Sequence, residues 1–146
     1  MLTKTSTLSV FIAYAEADVA KYKEISHQLD GMKRSHKIQI SDMHATTSEE
    51  GRGVRLENAD VILALVTPNY INSQQCRDVE AVAMHRHVTQ SATVIPILME
   101  PAELANTHFR DVDKLPANGQ SVSQWPDHQS ALDDIHRGIR HAISAL

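Results

Sequence analysis

The sequence predicts an α/β fold, a flavodoxin-like doubly wound five-stranded parallel sheet with helices on both faces. Three observations carry this expectation. Val61 to Val66 is an unbroken apolar run, too short for a helix and without polar alternation, as expected of a strand covered on both faces. Comparable runs lie at Leu8 to Tyr14 and Ala92 to Met99. Between the runs the apolar spacing turns helical, so the order reads βαβαβαβ, then a loop-rich crossover, a short strand and a closing helix. At 146 residues the chain can bury one core but not two, so a single domain over 1–146 is expected, with strands near 8–14, 37–41, 60–66, 92–98 and 120–124.

Taken in order, Leu8 to Tyr14 is the first strand, followed by Ala15-Glu16-Ala17-Asp18. A helix follows, with Tyr22, Ile25, Leu29 and Met32 on one face and Asp18 as its cap. Ile38 to Ile40 alternates with polar neighbours and reads as an edge strand ending at Ser41 and Asp42. Met43 to Asn58 is polar and glycine-containing, anchored only by Val54, Leu56 and Ala59, and reads as a mobile loop and a short, poor helix. Thr67 and Pro68 end the central strand, because proline cannot donate into a ladder. Asn72, Ser73 or Gln75 then offers a capping oxygen to a helix with Cys76, Val79 and Ala83 as its apolar stripe. Glu80 lies about 100° round from Val79, on the flank of that stripe, where a carboxylate would edge a cleft. In Ala92 to Met99, Pro96 is tolerable only at a bulge or an unpaired N–H. Residues 101–120 read as loop with one helical turn, Ser121 to Trp125 as a short last strand, and Leu132, Ile135, Ile139 and Ala142 or Ile143 as the buried face of the closing helix.

Composition narrows the function. A formal charge of −4 argues against a nucleic-acid binder. The single cysteine, Cys76, rules out an internal disulfide framework and suits a reduced, cytoplasmic setting. The short apolar run near the N-terminus, broken by Ser9 and Tyr14, reads neither as a signal peptide nor as a membrane span.

In a sheet of this kind ligands bind outside the carboxyl ends of the strands, where the first and third part company. Tyr14 with Ala15, Thr67 with Pro68, and Glu80 would stand at that mouth, with Asp42 and the following loop closing one side. Two familiar uses of the fold do not fit. A dinucleotide-binding unit needs a glycine-rich turn after its first strand, and Ala15 to Asp18 has no glycine. A phosphate-receiving regulator needs an aspartate at the end of the third strand, where this chain has Thr67. Nine histidines raise the question of a metal, but His85 and His87 point different ways on a helix and no metal-binding spacing occurs, so no metal site is expected. Cys76 lies on the apolar stripe without a neighbouring base and reads as a packed thiol. Gly51-Arg52-Gly53 follows no strand and reads as loop flexibility, and Trp125 as a packing anchor.

Several motifs in order then resemble one family, the Toll/interleukin-1 receptor (TIR) domain, in its bacterial branch. Val10-Phe11-Ile12-Ala13-Tyr14 resembles its first box, Asn58 to Ile62 with Val66-Thr67-Pro68 its third-strand pattern, and Ser73-Gln74-Gln75-Cys76-Arg77-Asp78-Val79-Glu80 its SxxCxxxE segment. Val94 to Ile97, Leu115 to Gly119, Val122-Ser123, Trp125-Pro126 and Gly138-Ile139 resemble its closing half. Many bacterial members cleave NAD⁺ between nicotinamide and ribose, to ADP-ribose or a cyclic isomer; others are silent adaptors acting by self-association. The resemblance makes Glu80 the catalytic residue and NAD⁺ the substrate, with no cofactor. It places Tyr14, Ala15 and the segment from Asp42 through Thr46 and Thr47 beside the nucleotide. Cys76, which stands where many family enzymes carry tryptophan, joins them. A lone carboxylate suits this chemistry. Nicotinamide leaves as a neutral molecule, so no acid is needed to protonate it, and the enzyme has only to hold the ribose and stabilise an oxocarbenium-like carbon.

The segment from Asp42 to Asp60 is shorter than is usual in the family and lacks its Pro-Gly pair, and Ala15-Glu16 stands where some relatives carry arginines. Weak phosphate contacts, or a site completed by a neighbouring subunit, would follow. The implied partners are further copies of the chain, in an oligomer or filament, and a fused or separate sensor module in a bacterial defence or signalling system. Neither nucleic acid nor membrane is among them.

Overall fold

The computed structural model describes residues 7–32, 37–44, 49–105 and 107–146. In chain order they form β1 (Leu8–Ala13), α1 (Val19–Met32), β2 (Ile38–Asp42), α2 (Glu49–Glu57), β3 (Val61–Val66), α3 (Pro68–Ile71), α4 (Gln74–Val88), β4 (Thr93–Leu98) and α5 (His128–Ser144). Single 3-10 turns lie at Glu16–Asp18 and Val122–Gln124. The strands make one parallel sheet in the order β2-β1-β3-β4, so β1 and β3 hold the centre and β2 and β4 the edges.

The period-two alternation of a strand divides the core in two. Val61, Leu63 and Leu65 join Val10 and Ile12 beneath α1 and α5, whose buried residues include Ile25, Leu29, Ile135 and Ile139. Ile62, Ala64 and Val66 join Phe11 and Ala13 on the other face, beneath Leu56 of α2, Cys76, Val79 and Ala83 of α4, and Phe109. Because β3 is buried on both faces over its whole length, it shows no polar alternation. The last turn of α4 is stitched to the α2–β3 connection by Arg86, whose Nη1 donates to the carbonyls of Leu56 (2.8 Å) and Ala59 (2.6 Å).

The fifth strand expected near 120–124 is a 3-10 turn instead. Ser121 and Gln124 form a reciprocal capping box that satisfies this segment locally. Among the described residues the outer edge of β4 pairs at one point, an isolated bridge between Ile97 and Leu115. Leu115 N–H donates to the Pro96 carbonyl (2.9 Å) and Leu98 N–H to the Leu115 carbonyl (2.7 Å). Pro96 therefore turns its missing N–H to this outer side, where the ladder cannot continue in one direction. In the other direction Ala117 N–H is taken by the Asp134 carboxylate at 2.8 Å. The edge thus receives one residue and no strand.

Two local readings change as well. Asp18 does not cap α1; it closes the 3-10 turn before it and is buried, with its carboxylate directed to the end of β3. Thr67 and Pro68 both end β3 and start the short α3, with Pro68 in the first turn and Thr67 Oγ1 accepting from Tyr70 N–H at 3.0 Å. Of the caps considered for α4, Ser73 is the one used, its Oγ accepting from Cys76 N–H at 3.1 Å.

Candidate functional site

The central strands β1 and β3 release their chains at the same end of the sheet, and three buried polar clusters gather there. The first is Asp18. Thr67 Oγ1 donates to its Oδ2, Asn69 Nδ2 donates to its Oδ1 at 3.1 Å, and Lys21 Nζ stands 3.6 Å away, reaching Glu100 at the same distance. Both oxygens of this buried carboxylate are occupied.

The second cluster follows β1 and β2. Tyr14 stacks on Tyr22 with ring centroids 4.6 Å apart, and its hydroxyl donates to Asp42 Oδ1 at 3.2 Å. The same oxygen accepts from His44 N–H at 2.8 Å. The His44 ring turns its edge to Tyr14 and lies 2.8 Å from the Tyr14 carbonyl, which can only accept, so Nε2 carries the proton. Burial, then the Asp42 charge, pushes the Tyr14 phenol well above its usual range.

The third is Glu80, expected on the flank of α4 and found in its buried face, only 3% exposed. Oε2 accepts twice from His108, from the backbone N–H at 2.8 Å and from ring Nδ1 at 2.7 Å. Oε1 is buried without a hydrogen-bond partner, as is the hydroxyl of Tyr70. Burial, followed by the Glu80 and Cys76 charges and a hydrogen-bonding approach to the Glu80 carboxylate, holds the Tyr70 phenol well above its usual range, so the two unsatisfied groups face each other. Beside Glu80 is a pocket of about 250 Å³ lined by Ile71, Asn72, Arg77 and Thr107. The loop over the site is fixed by Phe109, fully buried with its ring 6.0 Å from that of Tyr70, and by Thr107, whose Oγ1 donates to the Leu104 carbonyl at 2.8 Å.

A buried carboxylate oxygen left unpaired costs on the order of 1–3 kcal/mol or more. A ligand hydroxyl delivered to Oε1 would relieve that cost. Arg77 adds an exposed guanidinium whose side chain has no partner among the described residues.

Of the residues singled out in the sequence, Tyr14 and Asp42 meet directly, while neither they nor Ala15 line the Glu80 pocket. Ala15 packs with Phe11 and Cys76 in the core. Cys76 is fully buried, and burial pushes its thiol up to about 11, with Asp18 and Glu80 both adding to the effect. It is a packed, protonated thiol and offers no surface to a ligand here. Thr46 and Thr47 lie outside the described residues. His108, Tyr70, Arg77 and, among the partners of Asp18, Asn69 and Lys21 are not marked by the sequence, whereas Thr67 is. Only the Asp18 cluster left a trace there, in an acidic residue just after β1 and a threonine at the end of β3.

Among the described residues no three His, Cys, Asp or Glu side chains converge on a metal-sized point, and no helix is long and apolar enough to cross a membrane.

A family profile described as the TIR domain matches residues 10–129. The chain is 29% identical over 148 residues to Uncharacterized protein y4lF of Sinorhizobium fredii, covering 94% of this chain and 44% of that protein. It thus spans less than half the length of the curated relative it matches. Among solved structures, the TIR domain of the Toll-related receptor TRR-2 from Hydra magnipapillata superposes with a TM-score of 0.59 at 18% identity, covering 90% of this chain and 97% of that one. The RPS4 and RRS1 TIR domain heterodimer gives 0.58 at 14% identity, covering 93% and 97%. At these identities the two structures speak for the fold alone.

Proposed function

Since the chain belongs to the TIR-domain family, we propose that it is an NAD⁺ glycohydrolase in which Glu80 is the catalytic residue. One observation carries this: a buried carboxylate with Oε2 doubly held and Oε1 unpaired, beside a pocket of about 250 Å³. A structural carboxylate would be satisfied at both oxygens, as Asp18 is.

The C–N bond between ribose and nicotinamide breaks with its electron pair leaving on nicotinamide, which departs neutral. Glu80 Oε1 accepts from a ribose hydroxyl and its charge stabilises the cationic carbon left behind. Water then adds to that carbon and loses a proton, giving ADP-ribose; attack by an adenine ring nitrogen instead, with loss of a proton from the adenine, gives cyclic ADP-ribose, one water lighter. Asn72, Arg77 and Thr107 edge the pocket, and the Arg77 guanidinium suits the diphosphate. Tyr14 and Asp42, which meet directly, border the remainder of the nucleotide.

A pocket of about 250 Å³ lies below the range of roughly 300–1,000 Å³ that encloses a drug-sized ligand. It takes the ribose end of a dinucleotide and leaves the rest outside. Completion of the site by a second copy is therefore part of the proposal, with a longer protein or a partner supplying the sensor of a cytoplasmic defence or signalling system. The burial of Glu80 favours a second function, a silent adaptor that acts by self-association alone.

Nicotinamide release from NAD⁺, followed over a wide range of protein concentration, separates the two. Release that rises steeply with concentration and disappears in Glu80→Gln is the result expected of the enzyme. No release at any concentration from a folded domain points to the adaptor.

A further inference from the structure

We propose that His108 is a positioning residue for Glu80, fixing Oε2 so that Oε1 is the oxygen offered to the ribose. This rests on the function just proposed. His108 presents two donors of one residue to one acceptor, its backbone N–H at 2.8 Å and ring Nδ1 at 2.7 Å from Glu80 Oε2. An ionised carboxylate can only accept, so the ring nitrogen facing it carries the proton. Two bonds from one rigid residue fix the plane of the carboxylate, as a single rotatable donor cannot.

The flanking contacts hold His108 in place. On one side Phe109 is fully buried and its ring meets that of Tyr70. On the other, Thr107 N–H and Oγ1 both donate to the Leu104 carbonyl, at 3.0 and 2.8 Å, and Oγ1 accepts from Phe109 N–H at 3.2 Å. Thr107, His108 and Phe109 are thus braced locally, and the backbone donor reaches Glu80 whatever the side chain at 108 is. The imidazole is the replaceable half of the clamp. Its side chain is 59% exposed while that of Glu80 is 3% exposed, so it can be exchanged without opening the core.

Two variants and one spectrum test this. His108→Ala removes the ring donor, and His108→Asn restores an N–H close to the position of Nδ1. Losing one charge-assisted hydrogen bond in the reacting geometry lowers kcat by about 10- to 100-fold, with KM changed by less than about threefold; His108→Asn recovers most of the loss. Nitrogen-15 spectra of the imidazoles give a readout independent of turnover. In the wild type His108 carries a protonated, hydrogen-bonded Nδ1, and Glu80→Gln alters that signal.

Release of nicotinamide by a wild type lacking the Nδ1 signature overturns the clamp and leaves the reaction standing. The signature without any release overturns the reaction, and the positioning role with it, while the clamp persists as geometry. A His108→Ala variant with wild-type kcat overturns the positioning role directly, as does a His108→Asn variant no better than His108→Ala.

Discussion

Two buried carboxylates near the carboxyl end of the sheet are handled in opposite ways. Asp18 is 2% exposed, and Thr67, Asn69 and Lys21 occupy both its oxygens. Glu80 is 3% exposed, with one oxygen doubly bonded to His108 and the other, beside the Tyr70 phenol, without a full hydrogen bond. Both charges bear on the same thiol, that of Cys76. Burial alone therefore does not mark a reactive group. Asp18 ties the end of β1 to the end of β3, and its network is closed. Glu80 stands in a network left open at one buried oxygen, the oxygen that the proposed function gives to a substrate hydroxyl.

Substitutions that remove one carboxylate at a time sharpen this contrast. Glu80→Gln carries the largest effect: nicotinamide release falls by about a thousandfold, while thermal unfolding shows a melting temperature unchanged or raised, since an unpaired buried charge is lost. Asp18→Ala has the opposite profile. It leaves Thr67 and Asn69 without their acceptor and lowers the unfolding free energy in urea by about 3 kcal/mol. A stability loss of similar size in both variants would erase the distinction.

Tyr70→Phe tests whether the second orphan is real. Removing a buried hydroxyl that makes no full hydrogen bond leaves stability within about 1 kcal/mol of wild type or raises it. A clear loss in urea unfolding would mean that the phenol pairs with Glu80 in solution and that the network there is closed after all.

The smallest effect concerns the thiol between the two charges. With its pKa raised from 9.0 to about 11, the folded state keeps the Cys76 proton more tightly than the unfolded state does. The contribution to stability is fully present below about pH 9 and is lost as pH rises toward about 11. Native Cys76 accordingly resists alkylation at neutral pH and reacts on unfolding, which a maleimide time course would follow. Rapid native labelling at pH 7 would show that the core beside Glu80 opens to solvent.

Much of the fold was legible because the signals are local. Val61 to Val66 announces a central strand by its composition, and the alternation at Ile38 to Ile40 announces an edge. The faces of α1, α4 and α5 follow from apolar spacing. The expected last strand does not form because Ser121 and Gln124 satisfy each other, while Pro96 and Asp134 deny the sheet edge its next hydrogen bonds. None of this shows in a short apolar window.

Glu80 itself was legible through the SxxCxxxE segment, but its surroundings were not. His108 reaches it across 28 positions from a loop without periodicity, and Asp18 reaches Thr67 across 49. A helix cap is all that the immediate neighbours of Asp18 suggest. Which carboxylate is closed and which is open depends on those long-range partners.

The most direct measurement is nicotinamide release from NAD⁺ by Asp18→Asn and Glu80→Gln side by side with wild type, at one temperature where all three remain folded. The contrast between the two carboxylates predicts release close to wild type for Asp18→Asn and none for Glu80→Gln. Equal loss in both, or turnover retained by Glu80→Gln, would contradict the assignment of the open oxygen of Glu80 as the reactive one.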